Sequence, residues 1–385
     1  MTQRRHQEAL EHWKAALNLA NRSRLTERED FRIRGGFALD TADLRQAETT
    51  FAAGLRLYPY DYLAAFYLAA AQRMQGNTAA AIANLQRAEQ IDAQQYYTYT
   101  ERAKCDLLLK KYPEARAQID KVRSLGETGP ADRLQAAWQY LTGDFVGARQ
   151  TLDRLTTSTD ADAASRGYLM LASLDAEIGR LQDAVLALRR GIEFDSNRGE
   201  PAFLADKRIA LAWLLARLGE AGPARAEALE ALRLDDSPER VMRAGTILAR
   251  LHRLEDAEAA SQALHSFAGL QSAELASLRL EGEILLARHR YPEALQRFEQ
   301  LSRLDVRESF PEYLANAYSV TGDTERAAFY FQEIVDSPAL EWLEAAAEFP
   351  GLWAECLQRF ATLEAAAGQQ DQTRRLQALY QNQIK

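Results

Sequence analysis

Two cysteines, five histidines and ten prolines are all that a chain of 385 residues holds of those types. Cys105 and Cys356 stand so far apart that a disulfide framework is excluded, and both thiols read as small buried hydrophobes. The scarcity of proline leaves long helices uninterrupted. No run of alternating Val, Ile and Thr marks a strand, and no stretch approaches the roughly 18 apolar residues of a membrane span. The opening MTQRRHQEALEHW carries charges and no apolar core, unlike a signal peptide. A basic surplus is missing too. Against 47 Lys and Arg stand 55 Asp and Glu, a net charge of −8, so phosphate neutralisation is not the chain's task and no nucleic-acid partner is expected. Only the first 34 residues are locally basic (Arg4, Arg5, Lys14, Arg22, Arg24, Arg28, Arg32, Arg34), which reads as a solvated helix face.

Reactive constellations are equally scarce. There is no HExxH, CxxC, GxSxG, GxxxxGK[ST] or GxGxxG phrase. His6 and His12 share the first helix, and His252 and His289 sit at turns. The acids are spread at helical-surface spacing. No active site, cofactor or metal is expected.

What the chain has in plenty is Ala, Leu, Arg, Glu and Gln, within 47% apolar and 26% charged residues, enough for a continuous helical core. Three segments share one phrase: TADLRQAETTFAAGL, QGNTAAAIANLQRAE and LKKYPEARAQIDKVR. Their central alanines, Ala47, Ala81 and Ala115, are spaced by 34 and 34. The phrase returns around Ala148, Ala184, Ala224, Ala257, Ala294 and Ala327, and in degenerate form around Thr373, with steps of 33, 36, 40, 33, 37, 33 and 46. The longer steps place loops or helix extensions at 196–201 and 336–351.

Each position of the phrase has a physical reason. Gly35 and Ala47 let two helices approach closely, Phe51 fills the space between repeats, and Phe31, Leu55 and Pro59 complete the pattern. Gly76, Gly143, Gly179, Gly219, Gly322 and Gly368 supply the helix-ending turn, where a positive φ is needed. Asn77, Asp144 and Asp323 follow as N-caps, and Pro113, Pro223 and Pro292 suit a first helical turn. Thr26–Glu29 and Ser309–Glu312 read as capping boxes.

This pattern resembles the tetratricopeptide repeat, whose length it shares. The resemblance implies an all-α, right-handed superhelical solenoid of antiparallel helix pairs, about nine and a half in number. Residues 1–24 form an orphan second helix, 26–127 three regular repeats, 128–340 looser ones, and 341–385 an insertion and a capping pair with a glutamine-rich outer face. The orphan helix exposes Ala9, Trp13, Ala16 and Leu17. It suggests a chain cut from a longer protein, or self-association through that stripe.

In such a solenoid the first helices line the concave groove. There the sequence offers Tyr62, Phe66, Tyr67, Tyr97, Trp138 and Tyr140 as aromatic anchors for a protein or peptide partner. Arg243, Arg279, Tyr313 and Asn316 are a second group, suited to a peptide backbone and carboxylate. Each side chain also has a bland reading, as inter-repeat packing or a solvated face. The Lys/Asn pattern by which some tetratricopeptide domains clamp a chaperone's C-terminus is absent, since Arg32 and Gly36 stand at those positions.

A narrower likeness covers 25–119. LTEREDFRI, TADLRQAETTF, YPYDYLAAFYLA and QGNTAAAIANLQRAEQID resemble the tetratricopeptide tails of bacterial eukaryotic-like serine/threonine kinases and of related transcription regulators. It implies a non-catalytic, regulatory or recruiting module of a bacterial signalling protein. That module would be cytoplasmic, or periplasmic if its parent is membrane-anchored. Alternatives are a small-ligand or peptide sensor and a structural envelope or pilus assembly factor.

Overall fold

The computed structural model describes residues 5–21, 25–304, 311–340, 342–343 and 349–384. Helix α1 (Arg5–Asn21) precedes the pairs α2 (Glu27–Asp40) with α3 (Leu44–Leu57), α4 (Tyr62–Met74) with α5 (Thr78–Ile91), and α6 (Tyr96–Leu108) with α7 (Tyr112–Ser124). Next come α8 (Thr128–Leu141) with α9 (Phe145–Thr156), α10 (Ala161–Glu177) with α11 (Leu181–Arg198), and α12 (Pro201–Arg217) with α13 (Ala221–Leu234). Then follow α14 (Pro238–Arg250) with α15 (Leu254–Leu264), α16 (Gln271–Ala287) with α17 (Tyr291–Leu304), and α18 (Glu312–Thr321) with α19 (Thr324–Asp336). A single turn, α20 (Pro338–Leu340), leads to the last pair, α21 (Leu352–Ala366) with α22 (Gln370–Ile384). No strand occurs among the described residues. The fold is an all-α solenoid of helix pairs.

The phrase that reveals the repeat is also what packs it. Ala47, Ala81, Ala115, Ala148, Ala184, Ala224, Ala257, Ala294 and Ala327 are all 0% exposed, each on the second helix of a closely packed pair. A larger side chain there would force the helices apart. Glycine serves the same end at Gly35, where an added Cβ would stand 2.6 Å from Cζ of Phe51; Gly282 lies beneath Phe298 in the same way, again with the ring sixteen residues further on. Phe51 therefore fills space within its own pair as well as toward the next.

The turns follow the expected chemistry. The six turn glycines have φ between 76° and 84°. Asn77, Asp144 and Asp323 accept hydrogen bonds from the backbone N–H groups of Ala80, Gly147 and Arg326. Where the glycine is replaced, Ala42, Lys110, His252 and His289 still take the left-handed conformation. The Thr26–Glu29 capping box is present in both halves. Ser309 lies outside the described residues, and Glu312 is drawn into a buried ion cluster.

The irregular steps have separate causes. The step to Ala224 is an extension of α11 to 18 residues, ended by Gly199. The step to Ala294 contains the 3-10 turn His265–Phe267 and a 17-residue α16. First helices of successive repeats touch one another, as α4 touches α6 and α14 touches α16, while second helices spread apart. The first helices accordingly lie on the inner, concave side. No helix among the described residues is long and apolar enough to cross a membrane.

The stripe on α1 finds cover within the chain. Trp13 lies over Gly36, meets Phe37 edge-on at 6.3 Å and donates its Nε1 hydrogen to Asp40 at 2.7 Å. Leu10 clusters with Phe37, Phe267, Leu270 and Ala273. Ala16 and Leu17 are half-buried and Ala9 is exposed. Close by, the backbone N–H of Ser272 donates to the carbonyl of Thr41 at 2.9 Å. Repeat one and the start of α16 thus meet across the solenoid, leaving between them an open cavity of about 410 Å³ lined in part by Phe37, Asp43, His265 and Glu274.

Candidate protein-binding face

The inner surface divides into an open region and a filled one. On α4, Tyr62 and Phe66 are four residues apart, hence on one helix face, and their rings stack at 5.9 Å. Phe66 meets Tyr67 at 5.4 Å and reaches across to Tyr97 of α6 at 6.2 Å. Tyr97 stacks at 4.0 Å on Tyr96, a residue the sequence reading passed over. Tyr67 also stacks on Phe51, at 5.4 Å. The ladder is anchored below, where the hydroxyl groups of Tyr62 and Thr98 share a hydrogen bond of 3.1 Å, and burial pushes the Tyr62 phenol up. Tyr67 and Tyr97 remain 38% and 52% exposed. Four predicted side chains therefore form one continuous aromatic face.

Trp138 and Tyr140 stand apart from it. Trp138 donates Nε1–H to the Tyr112 carbonyl at 3.0 Å, and Arg116 covers its ring at 5.3 Å. It fastens α8 to α7. Tyr140 is buried, 4.4 Å from the ring of Trp342.

The second predicted group is engaged internally. Arg243, 3% exposed, donates to Asp206 at 3.2 Å, where Arg240 also binds. Arg279 donates to Glu312 at 3.2 Å and covers the ring of Tyr313 at 5.7 Å. Arg250 bridges Glu283 at 2.6 Å and Glu312 at 2.9 Å. Burial pushes the Glu312 carboxyl up, but Arg279 and Arg250 outweigh it and hold it below its usual range. Tyr313 is buried against Phe298, and the Asn316 side-chain oxygen accepts from Arg359 of α21 at 2.7 Å. These groups join successive helices.

The chain's own C-terminal region fills the groove beside them. Phe349 is 0% exposed, 4.8 Å from the ring of Trp213 and 5.7 Å beneath Arg279. The Pro350 carbonyl accepts from Trp213 Nε1 at 3.1 Å and from Arg217 at 3.0 Å. Gly351 sits at φ 77° against Arg217 and Ala176, too close for any side chain. Buried Glu177, at the end of α10, accepts the Ala354 N–H at 3.0 Å and so caps the start of α21. The signal was visible as Phe-Pro-Gly inside the longest repeat step, but not its destination.

Two further polar clusters are held inside or at the turns. Lys207 donates to Asp195 at 2.5 Å and to Ser165 at 2.7 Å, but all three are at most 1% exposed, and no substrate reaches them. They tie α10, α11 and α12 together. His252 and His289 lie 6.5 Å apart, His289 sharing a hydrogen bond with Tyr291. No group of three or more metal-ligating side chains occurs among the described residues. Cys105 and Cys356 are free and buried; burial pushes the Cys105 thiol up to about 12, which suppresses the reactive thiolate.

No family model matches the sequence, and no curated protein does. Among solved structures, the chain is similar to the TPR domain of P58(IPK), at 16% identity and a TM-score of 0.26, covering 89% of this chain and 99% of that one. It is also similar to a tetratricopeptide repeat protein from Parabacteroides merdae, at 16% identity and a TM-score of 0.38, covering 72% and 93%. The fold assignment rests on the helix pairs themselves.

Proposed function

We propose that this protein is a non-catalytic scaffold that binds an extended segment of another protein across the aromatic face of α4 and α6. One observation carries the reading. Tyr67 and Tyr97 stay exposed at the centre of a five-ring ladder on the concave side, while the groove from α10 to α16 is filled by Phe349–Gly351. Large rings held rigid by their neighbours lose little entropy on contact, which suits them to anchor a partner. The kinase-tail likeness of 25–119 falls on the same repeats. It supports a regulatory or recruiting role in a bacterial signalling protein, with a cytoplasmic location.

Selection of a displayed random-peptide library against the full chain tests the proposal. Enriched peptides are expected to lose at least tenfold in affinity, about 1.4 kcal/mol, when Tyr67→Ala or Tyr97→Ala is introduced. Peptides indifferent to both substitutions, or no enrichment at all, would sink it.

A further inference from the structure

Two of the five histidines occupy the same place in consecutive repeats. His252 sits in the turn between α14 and α15, and His289 in the turn between α16 and α17, at φ 54° and 59°. Six other turns of the array hold glycine there. A side chain in the left-handed region crowds its own backbone, a cost that glycine avoids. Residues kept in such a conformation concentrate where the chain has a use for them.

Stacking brings the two turns together. Because α14 packs on α16, the imidazole rings stand 6.5 Å apart with 34° between their planes. Both side chains are exposed, away from the aromatic face and from the filled groove. His289 is also held in place. Its Nδ1 shares a hydrogen bond of 2.8 Å with the Tyr291 hydroxyl, whose ring meets it edge-on at 5.9 Å. A partner on one ring nitrogen orients the imidazole and leaves Nε2 for a second ligand. His252 makes no hydrogen bond or ion pair among the described residues. The arginines beside His289 are answered by acids, Arg288 by Glu258 and Arg290 by Glu293 at 3.1 Å. Arg253 is the one flanking cation without an ion pair among the described residues.

We infer that His252 and His289 bind a divalent transition-metal ion (zinc, nickel or copper) as a bridge between consecutive repeats. Imidazole nitrogen is a ligand that suits all three. A tetrahedral ion held by two such nitrogens at about 2.1 Å sets the ring centres about an ångström nearer than they stand. Exposed side chains on a turn make that rotation freely. A closed structural zinc site takes four protein ligands, so water fills the remaining positions here and the ion is exchangeable. Once bound, it ties the two turns at the edge of the array and resists a change of angle between their repeats.

Calorimetric titration of the full chain, free of any affinity tag, with zinc, nickel and copper chlorides in turn tests the bridge. The chain is expected to take up a single ion of at least one metal at this site, and His252→Gly and His289→Gly should each weaken that binding tenfold or more. Glycine relieves both turns, so neither variant should melt below the parent chain in the absence of metal. His265→Ala, at an exposed position of the 3-10 turn, should leave the affinity unchanged. Tyr291→Phe keeps the ring but frees His289, and should weaken binding less than either glycine. The ion should raise the Tm of the parent chain and of neither glycine variant, as binding to the folded state requires. No uptake of any of the three ions, or uptake that survives both glycine substitutions, overturns the inference. Loss in one glycine variant alone overturns it too, since a single histidine would then hold the ion without bridging.

Discussion

At the scale of single residues, the side chains that matter most are those whose neighbours decide their role. Arg166 and Arg279 look alike in the sequence, yet one faces Phe203 and solvent and the other is bound to Glu312. Glu101 of α6 shows the same dependence. It binds Arg73 at 2.7 Å and Lys104 at 2.6 Å with 13% of its side chain exposed. Burial pushes its carboxyl up, and Lys104 and Arg73 more than reverse this, holding it at about 2 against an ordinary 4.5. A lowered carboxyl contributes stability that is complete above pH 4.5 and is lost as pH falls through about 2. Glu101→Gln should therefore cost on the order of 3 kcal/mol at pH 7, and under half of that at pH 3. Urea unfolding of both proteins at the two pH values measures the gap, and a gap independent of pH would exclude the ion pairs as its origin.

At the scale of elements, the sequence was most legible where the rule is local. The capping aspartates and Asn77, the Thr26 box and the turn glycines depend on a few adjacent residues, and they appear where the spacing placed them. The rule also exposes its own violations. Lys110 occupies the turn between α6 and α7 at φ 56°, a conformation that crowds the Cβ of any L residue. Lys110→Gly should stabilise the chain by about 1 kcal/mol, with a higher Tm in calorimetry. An unchanged or lower Tm would mean that the lysine side chain compensates for the strain. Ser309 of the other expected box lies outside the described residues, and its partner shows the opposite case. Glu312 has local credentials as a cap, but Arg250 and Arg279 approach from two other first helices and claim its carboxylate.

At the scale of the whole molecule, the solenoid is closed by contacts that no repeat contains. Thr41 reaches Ser272, and Phe349 reaches Trp213. The second contact buries an aromatic ring completely, so Phe349→Ala should cost about 3–5 kcal/mol. It should also loosen the groove, seen as a larger radius of gyration in X-ray scattering. A radius unchanged despite the lost stability would show that Phe349 fills space without setting curvature.

The sequence by itself determined the class, the period and the pairing of helices, because the alanine, glycine and capping signals act over one repeat. It also placed the aromatic rings of α4 and α6 on the inner side, where helical spacing alone brings Tyr62 and Phe66 together. Only the tertiary structure decided which inner surface stays open. That depends on how far the array curls, the sum of many small rotations between repeats. Curling brings the Phe-Pro-Gly turn onto α12 and pairs Arg243 and Arg279 with acids from other repeats.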